Sequence, residues 1–341
     1  MFKALSQIDT LDIRVYYLEM GAPDSPWIVD GLEPYENVLP GWCLGKGRIR
    51  SHFNWKLPEI ENSDLVILNL SVTDWTTQYL MRYKLRHKKW AFWAEISKPQ
   101  KNGVKKFVSS ILYSPLARAN ALVAIGERAE KSYKEFYPEK QAYNIPYLIN
   151  APKGVVKEPA GKVKFLFCGQ IIARKAVDIL FLAFAELIDL EVDVELQLVG
   201  REAELKEFKK LISDKACSKI NYLGFKQPDD LPELFEQADV FILPSRRDGW
   251  GVVVNQAVSA GLPIIASDAV GAAFDLVKDG ENGFIVPNGE VQPLAEKMKK
   301  LLLDSTLRKK FSEESLKLAD EITPQRGAEK FSEIMCEICS K

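Results

Sequence analysis

The chain has 341 residues, 47% of them apolar and 10% aromatic, with 46 basic against 47 acidic side chains. That length suits two domains of ordinary size, each with its own core, and the apolar content excludes a disordered chain. The balanced charge excludes the global positive field of a nucleic-acid binder, and no apolar run approaches the roughly 20 residues that span a bilayer.

The opening M-F-K-A-L-S-Q-I-D-T lacks the apolar core and cleavage site of a signal peptide, and the five cysteines are scattered. A reducing cytoplasm is therefore the expected compartment. Cys336 and Cys339 form a C-x-x-C with no second pair to complete a zinc site, which reads as a helix-end coincidence. Asp12 to Leu18, rich in β-branched and aromatic residues, predicts the first strand. The segment P-W-I-V-D-G-L-E-P-Y-E-N-V-L-P-G is turn-rich, with Trp27 and Tyr35 as packing anchors. Asp64 to Leu70 reads as a strand buried on both faces, Thr76 to His87 as its crossover helix and Lys89 to Trp93 as the next strand, a βαβ unit. Ligands of such sheets bind at the carboxyl ends of the strands, and Glu95 lies just past one such end. A further buried strand is expected within Leu116 to Ile125, then a helix from Glu127 to Tyr137. His52 and His87, the two histidines, receive no role.

Between Arg82 and Lys106 the chain carries nine Lys or Arg and one acid, Glu95, with Trp90, Phe92, Trp93 and Phe107 interleaved. Such a stretch suits an anionic membrane surface, at about 1 kcal/mol per basic side chain near the lipid; a solvated helix face with a loop is the other reading. No nucleic-acid motif accompanies it. Residues 151–162, with two prolines and two glycines, form the best linker in the chain.

Beyond the linker, strands are expected at Val163 to Cys168, Glu195 to Val199 and Ile220 to Leu223. Asp229 and Asp230 open a helix, where capping suits them better than metal binding. The most informative stretch runs from Ala238 to Pro263. Val240 to Leu243 has strand length and stops at Pro244. A polar turn with Asp248, Gly249, Trp250 and Gly251 follows, then a helix from Val252 to Ala260 closed by Gly261 and Pro263. A strand, a glycine-bearing loop and a helix N-terminus make a ready anion site, with diphosphate the obvious anion; an ordinary strand–loop–helix connection has the same outline. Pro263 to Ser267 is a further strand, and an amphipathic helix from Gln325 to Ile338 ends the pattern.

Asp248 and Gln256 stand with seven residues between them, around a glycine–aromatic–glycine turn. This resembles the donor-site signature of the retaining glycosyltransferases of family 4, in which two glutamates hold those places. The resemblance is strong over 163–322 and weaker over 55–150. It implies an α/β fold of the GT-B type, two doubly wound, Rossmann-like domains facing across a cleft. It divides the chain into an acceptor-side domain (1–150) without the family's first strand and glycine loop, a linker (151–162), a nucleotide-sugar domain (163–322) and a helix returning to the first domain (323–341). A start downstream of the real one is an alternative source of that missing loop.

The same resemblance implies that Asp248 touches the donor sugar and Gln256 the ribose, while the amides of Gly249, Trp250, Gly251 and Val252 face the diphosphate. Gly169 and Lys175 fall on the family's glycine and lysine. Gln170 takes the place of its arginine, and Arg174 offers a substitute guanidinium. Phe225 lies where the family seats the nucleotide base. Glu95 replaces a frequent histidine and is an acceptor-side base or a solvated strand-end charge. Asp248, Glu95 and Lys175 are the catalytic candidates. The implied reaction is transfer from a nucleotide-diphosphate sugar to a glycan or lipid-linked glycan with retention of configuration, in surface polysaccharide synthesis, without metal or cofactor. The replaced acids leave a second reading open, a catalytically weak or inactive partner subunit of the same fold.

Overall fold

A computed structural model describes residues 1–21, 31–46, 49–95, 103–157, 161–190 and 192–341, which fall into two compact units. The N-terminal unit comprises Met1–Pro146 with Pro324–Lys341, and the C-terminal unit Tyr147–Thr323. Trp27 and part of the basic stretch, 96–102, lie outside the described residues.

In the N-terminal unit, β1 (Val15–Tyr17) pairs in parallel with β2 (Glu36–Val38), and β3 (Gly41–Lys46) pairs antiparallel with β4 (Ile49–Asn54). The expected strand from Asp12 to Leu18 thus shrinks to three residues, its partner arises from the turn-rich segment, and the β3–β4 hairpin was not expected at all. Tyr35 serves β1 through its carbonyl, which accepts from the Val15 amide at 2.8 Å. A four-stranded parallel sheet follows in the order β5 (Val66–Leu68), β6 (Trp90–Ala94), β7 (Ala121–Ala124) and β8 (Ala142–Asn144).

One face of that sheet buries Trp90, Phe92 and Leu122 against Met81, Leu116 and Tyr133. Trp93 points its ring elsewhere, meeting Phe331 of the helix Pro324–Ser340 at 5.2 Å and Phe2 at 6.3 Å. The helix after β5 is shorter than the sequence suggests. It runs Trp75–Tyr79 and then loosens into a π-helical turn, Leu80–Lys84. Asp74 starts it by accepting from the Thr77 amide, the usual capping arrangement. A helix over Gly103–Tyr113 occupies the end of the basic stretch.

The C-terminal unit is one six-stranded parallel sheet: β9 (Val163–Cys168), β10 (Val194–Val199), β11 (Ile220–Tyr222), β12 (Val240–Leu243), β13 (Ile264–Ser267) and β14 (Gly283–Val286). Its spatial order, β11-β10-β9-β12-β13-β14, is that of the Rossmann sheet, in which the chain winds outward from the centre in both directions. β12 and β13 are buried along their whole length, as expected for a parallel sheet covered by helices on both faces. The order reverses between β9 and β12, which pair only through Phe165–Leu166 and Val240–Phe241. Their carboxyl ends are the topological switch point, where open sheets of this kind bind ligands.

Candidate donor site

Two loops leave the switch point, one after β9 and one after β12. The first carries Gly169, Gln170, Arg174 and Lys175; the second carries Ser245 to Val252. Close backbone contact fixes the first loop: a Cβ on Gly200 would lie 1.9 Å from the Gly169 carbonyl oxygen, so no side chain fits there. The second loop is laced to the segment after β13. The Asp248 amide donates to the Ala269 carbonyl at 3.1 Å, the Gly271 amide to Asp248 at 3.2 Å and the Ala272 amide to Trp250 at 2.8 Å. Gly271 allows this approach, since its Cβ would meet the Gly249 carbonyl oxygen at 2.0 Å. Gly251 has φ +91°, a left-handed conformation that glycine takes without strain.

Trp250 is an anchor rather than a lining residue. Its ring is buried, and its indole N–H donates to Asn255 Oδ1 at 2.8 Å. Asn255 in turn donates to the Tyr147 carbonyl at 2.8 Å. Held this way, the turn leaves the amides of Gly249, Trp250, Gly251 and Val252 without a hydrogen-bond partner among the described residues. The helix that follows, Val253–Ser259, has only seven residues, so the loop amides, not a long helix dipole, supply the positive character.

Across the switch point Lys175 Nζ bonds Asp248 Oδ2, joining the two sequence-nominated residues in an ion pair with side chains only 12% and 13% exposed. Breaking a pair so far out of water strands two charges unless a ligand satisfies both. Ser245 Oγ stands 3.5 Å from the same carboxylate oxygen. Gln256 Oε1 is buried with no hydrogen-bond partner among the described residues, an acceptor open to a ligand.

Arg174 donates from Nη1 to the Arg247 carbonyl at 2.9 Å, tying the two loops together. Arg246 is fully committed elsewhere, in a bidentate pair with Asp178 at 2.7 Å on both arms. That guanidinium holds the Asp178 carboxyl below its usual range despite partial burial, and Asp178 raises Arg246 in return. Sequence reasoning overlooked Arg247, an exposed guanidinium beside Asp248 with no ion pair among the described residues. The signal was present in S-R-R-D-G, three charges entering one turn.

Phe225 is half-buried just past β11, next to Gly224, whose carbonyl accepts from the Gly200 amide at 2.9 Å. Glu95 belongs to the N-terminal unit, directly after β6, where its backbone carbonyl accepts from the buried Tyr133 hydroxyl at 2.9 Å. The structure therefore brings Gly169, Arg174, Lys175, Asp248 and the 249–252 turn together at one switch point, with Gln256 in the helix that follows, and places Glu95 in the other unit. Asp229 and Asp230 lie in a helical turn whose Asp230 carboxylate accepts from the Gln227 amide at 3.3 Å, a capping role. Cys336 and Cys339 are free thiols within the last helix.

The sheet order and the loops at its switch point define an α/β protein of the GT-B class, and solved structures agree on the fold. Sucrose-phosphate synthase from Thermosynechococcus elongatus superposes with a TM-score of 0.66 at 19% identity, over 81% of this chain and 74% of that one. Anabaena Alr3699/HepE in complex with UDP superposes with a TM-score of 0.66 at 20% identity, over 80% of this chain and 79% of that one. Residues 151–318 match the family model described as glycosyl transferases group 1, so that segment is similar to this family. Among curated proteins, the poly(glycerol-phosphate) alpha-glucosyltransferase of Bacillus subtilis is 25% identical over 214 residues, 62% of this chain and 32% of that protein. The chain spans between about a third and just over half of the first such relatives, 32% and 56% of two of them.

Proposed function

We propose that the protein transfers a sugar from a nucleotide-diphosphate donor to a glycan or lipid-linked glycan acceptor, with retention of configuration, in surface polysaccharide synthesis. The observation that carries this reading is the Lys175–Asp248 pair beside four unpartnered amides at the switch point. Donor binding exchanges partners there. The diphosphate takes Lys175, and the freed Asp248 carboxylate accepts from hydroxyls of the sugar. The amides of Gly249 to Val252, with Arg174 and Lys175, then offset the charge that grows on the departing diphosphate. No carboxylate is assigned to a covalent intermediate, so the acceptor attacks from the face the leaving group vacates. Gln256 Oε1 accepts from a ribose hydroxyl, Phe225 packs on the base, and Glu95 serves the acceptor. Protein groups supply the whole counter-charge, so the transfer runs without metal or cofactor.

Peripheral contact with an anionic membrane on the cytoplasmic side belongs to the same reading, with apolar groups carrying more of it than charge. Lys88 and Lys89 donate to the carbonyls of Glu61 and Cys339, and Arg82 donates to Gln78 Oε1 at 2.9 Å. Tyr79, Tyr83, Val104, Phe107, Val108 and Ile111 are exposed on two segments joined by the Gln78–Leu112 hydrogen bond of 2.9 Å. The test is a panel of nucleotide sugars offered to the purified protein, followed for turnover, with and without chelator and acidic vesicles. Turnover unchanged by chelator and binding to acidic vesicles are expected. Activity lost in chelator and restored by magnesium or manganese would overturn the leaving-group account.

A further inference from the structure

The β3–β4 hairpin places Cys43 and His52 opposite each other on one face, and Glu19, two residues after β1, reaches the same spot. His52 Nε2 stands 3.1 Å from Glu19 Oε1. The ligand-type atoms of Glu19, Cys43 and His52 all lie within 4.8 Å of one another, and this is the one such group of three among the described residues.

The other ring nitrogen is already engaged. Asp74 Oδ2 lies 2.7 Å from His52 Nδ1 and accepts the His52 backbone N–H at 2.7 Å. Asp74 is itself buried and fixed as the cap of the helix Trp75–Tyr79. A carboxylate on Nδ1 puts the proton there and leaves the Nε2 lone pair facing outward, the second-shell arrangement of metal-bound histidines. Nε2 is shielded from solvent and makes no hydrogen bond among the described residues, yet it faces a carboxylate oxygen. A ring nitrogen and a carboxylate oxygen at 3.1 Å call for a positive centre between them, a proton or a metal ion. Arg50 stands beside this pair, with Nη2 donating to Glu19 Oε2 and Nε donating to Cys43 Sγ at 3.2 Å. Its guanidinium serves the outer sides of both groups and leaves Nε2 unserved.

We propose that Glu19, Cys43 and His52 form a binding site for a thiophilic divalent cation of the zinc class. The donor set of thiolate, imidazole and carboxylate is the zinc repertoire, and tetrahedral bonds of about 2.0–2.3 Å set ligand atoms about 3.3–3.8 Å apart, within reach of the spacing here. A neutral imidazole, one thiolate and one carboxylate balance a charge of two. The ion binds with release of the Cys43 thiol proton to solvent, and Arg50 swings away because it holds the same two ligands. The bound ion pins the hairpin to the segment after β1, a structural role independent of sugar transfer.

Cobalt titration of the full chain tests this, because a thiolate ligand announces itself by a sulfur-to-cobalt charge-transfer band and zinc displaces it. One equivalent should bind, with the band absent in C43S, cobalt affinity lowered at least tenfold in H52Q, and both intact in C336S/C339S. Asp74→Asn should weaken binding by about 10–100-fold. Arg50→Gln should tighten it by about tenfold or more, since it removes a competing positive charge. If C43S or H52Q does not fold, R50Q still decides, because it keeps every ligand. No charge-transfer band, a band lost only in C336S/C339S, or affinity unchanged or weaker in R50Q would overturn the proposal, leaving a protonated His52 bridging Glu19 and Asp74.

Discussion

The two larger parallel sheets among the described residues differ in their longest strands and in the burial of their edges, and that difference bears on where the chemistry is secured. In the C-terminal unit β9 and β10 run six residues each and are buried almost throughout. In the N-terminal unit β5 and β8 run three residues each and are only partly buried at most positions. Long central strands hold the switch-point loops rigidly enough for backbone contacts near 2 Å from a hypothetical Cβ at Gly200 and Gly271. The N-terminal sheet packs one face on its own core and sets Trp93 against Phe331 and Phe2. Precise positioning of charge belongs to the first architecture.

The sharpest way to break that contrast is Asp248→Asn. If the carboxylate holds sugar hydroxyls, turnover should fall by on the order of a hundredfold or more, because misplacement by about 1 Å carries such a cost. Nucleoside diphosphate should bind at least as tightly as before, since Lys175 no longer has to leave a partner. A parallel loss of affinity and turnover would show that Asp248 only shapes the loop. Next in size is Lys175→Gln, which should weaken nucleoside diphosphate by about 1.5–3 kcal/mol, the range for one charged hydrogen bond. An unchanged calorimetric affinity would remove Lys175 from the phosphate site.

The smallest effect concerns stability. Arg246 depresses Asp178, so the pair stabilises the folded state above the unfolded carboxyl pKa, and that stability is lost as pH falls through the lower folded value. Asp178→Asn should cost about 1 kcal/mol near neutrality, discounted for partial exposure. The gap from wild type in denaturant melts should close below about pH 4. A gap that persists unchanged in acid would mean the substitution acts through packing.

The C-terminal unit was legible because β9, β10 and β12 are mostly apolar runs stopped by Gly169, Gly200 and Pro244, and the candidate site residues follow the first and last of those stops. The N-terminal unit was not. Three-residue strands such as Glu36–Val38 bury no continuous face and look like turn. The β3–β4 hairpin exposes Trp42, Leu44 and Phe53 on one face and turns Cys43 and His52 inward, which inverts the usual pattern. His52 had no visible role because its partners, Glu19 and Asp74, lie 33 and 22 residues away in sequence. The Lys175–Asp248 pair was equally invisible, joining loops 73 residues apart.

Calorimetric titration with nucleoside diphosphates, on wild type and two Gln256 variants, tests the central claim most directly. Gln256 Oε1 is buried and unpartnered among the described residues. If it accepts from the ribose, Gln256→Ala should weaken binding by about 0.5–1.5 kcal/mol. Gln256→Glu should tighten it, because charge-assisted bonds to hydroxyls are roughly twice as strong. Millimolar ligand that binds neither the wild type nor the Gln256→Glu variant would contradict the donor site and favour a partner subunit that keeps the fold without the reaction.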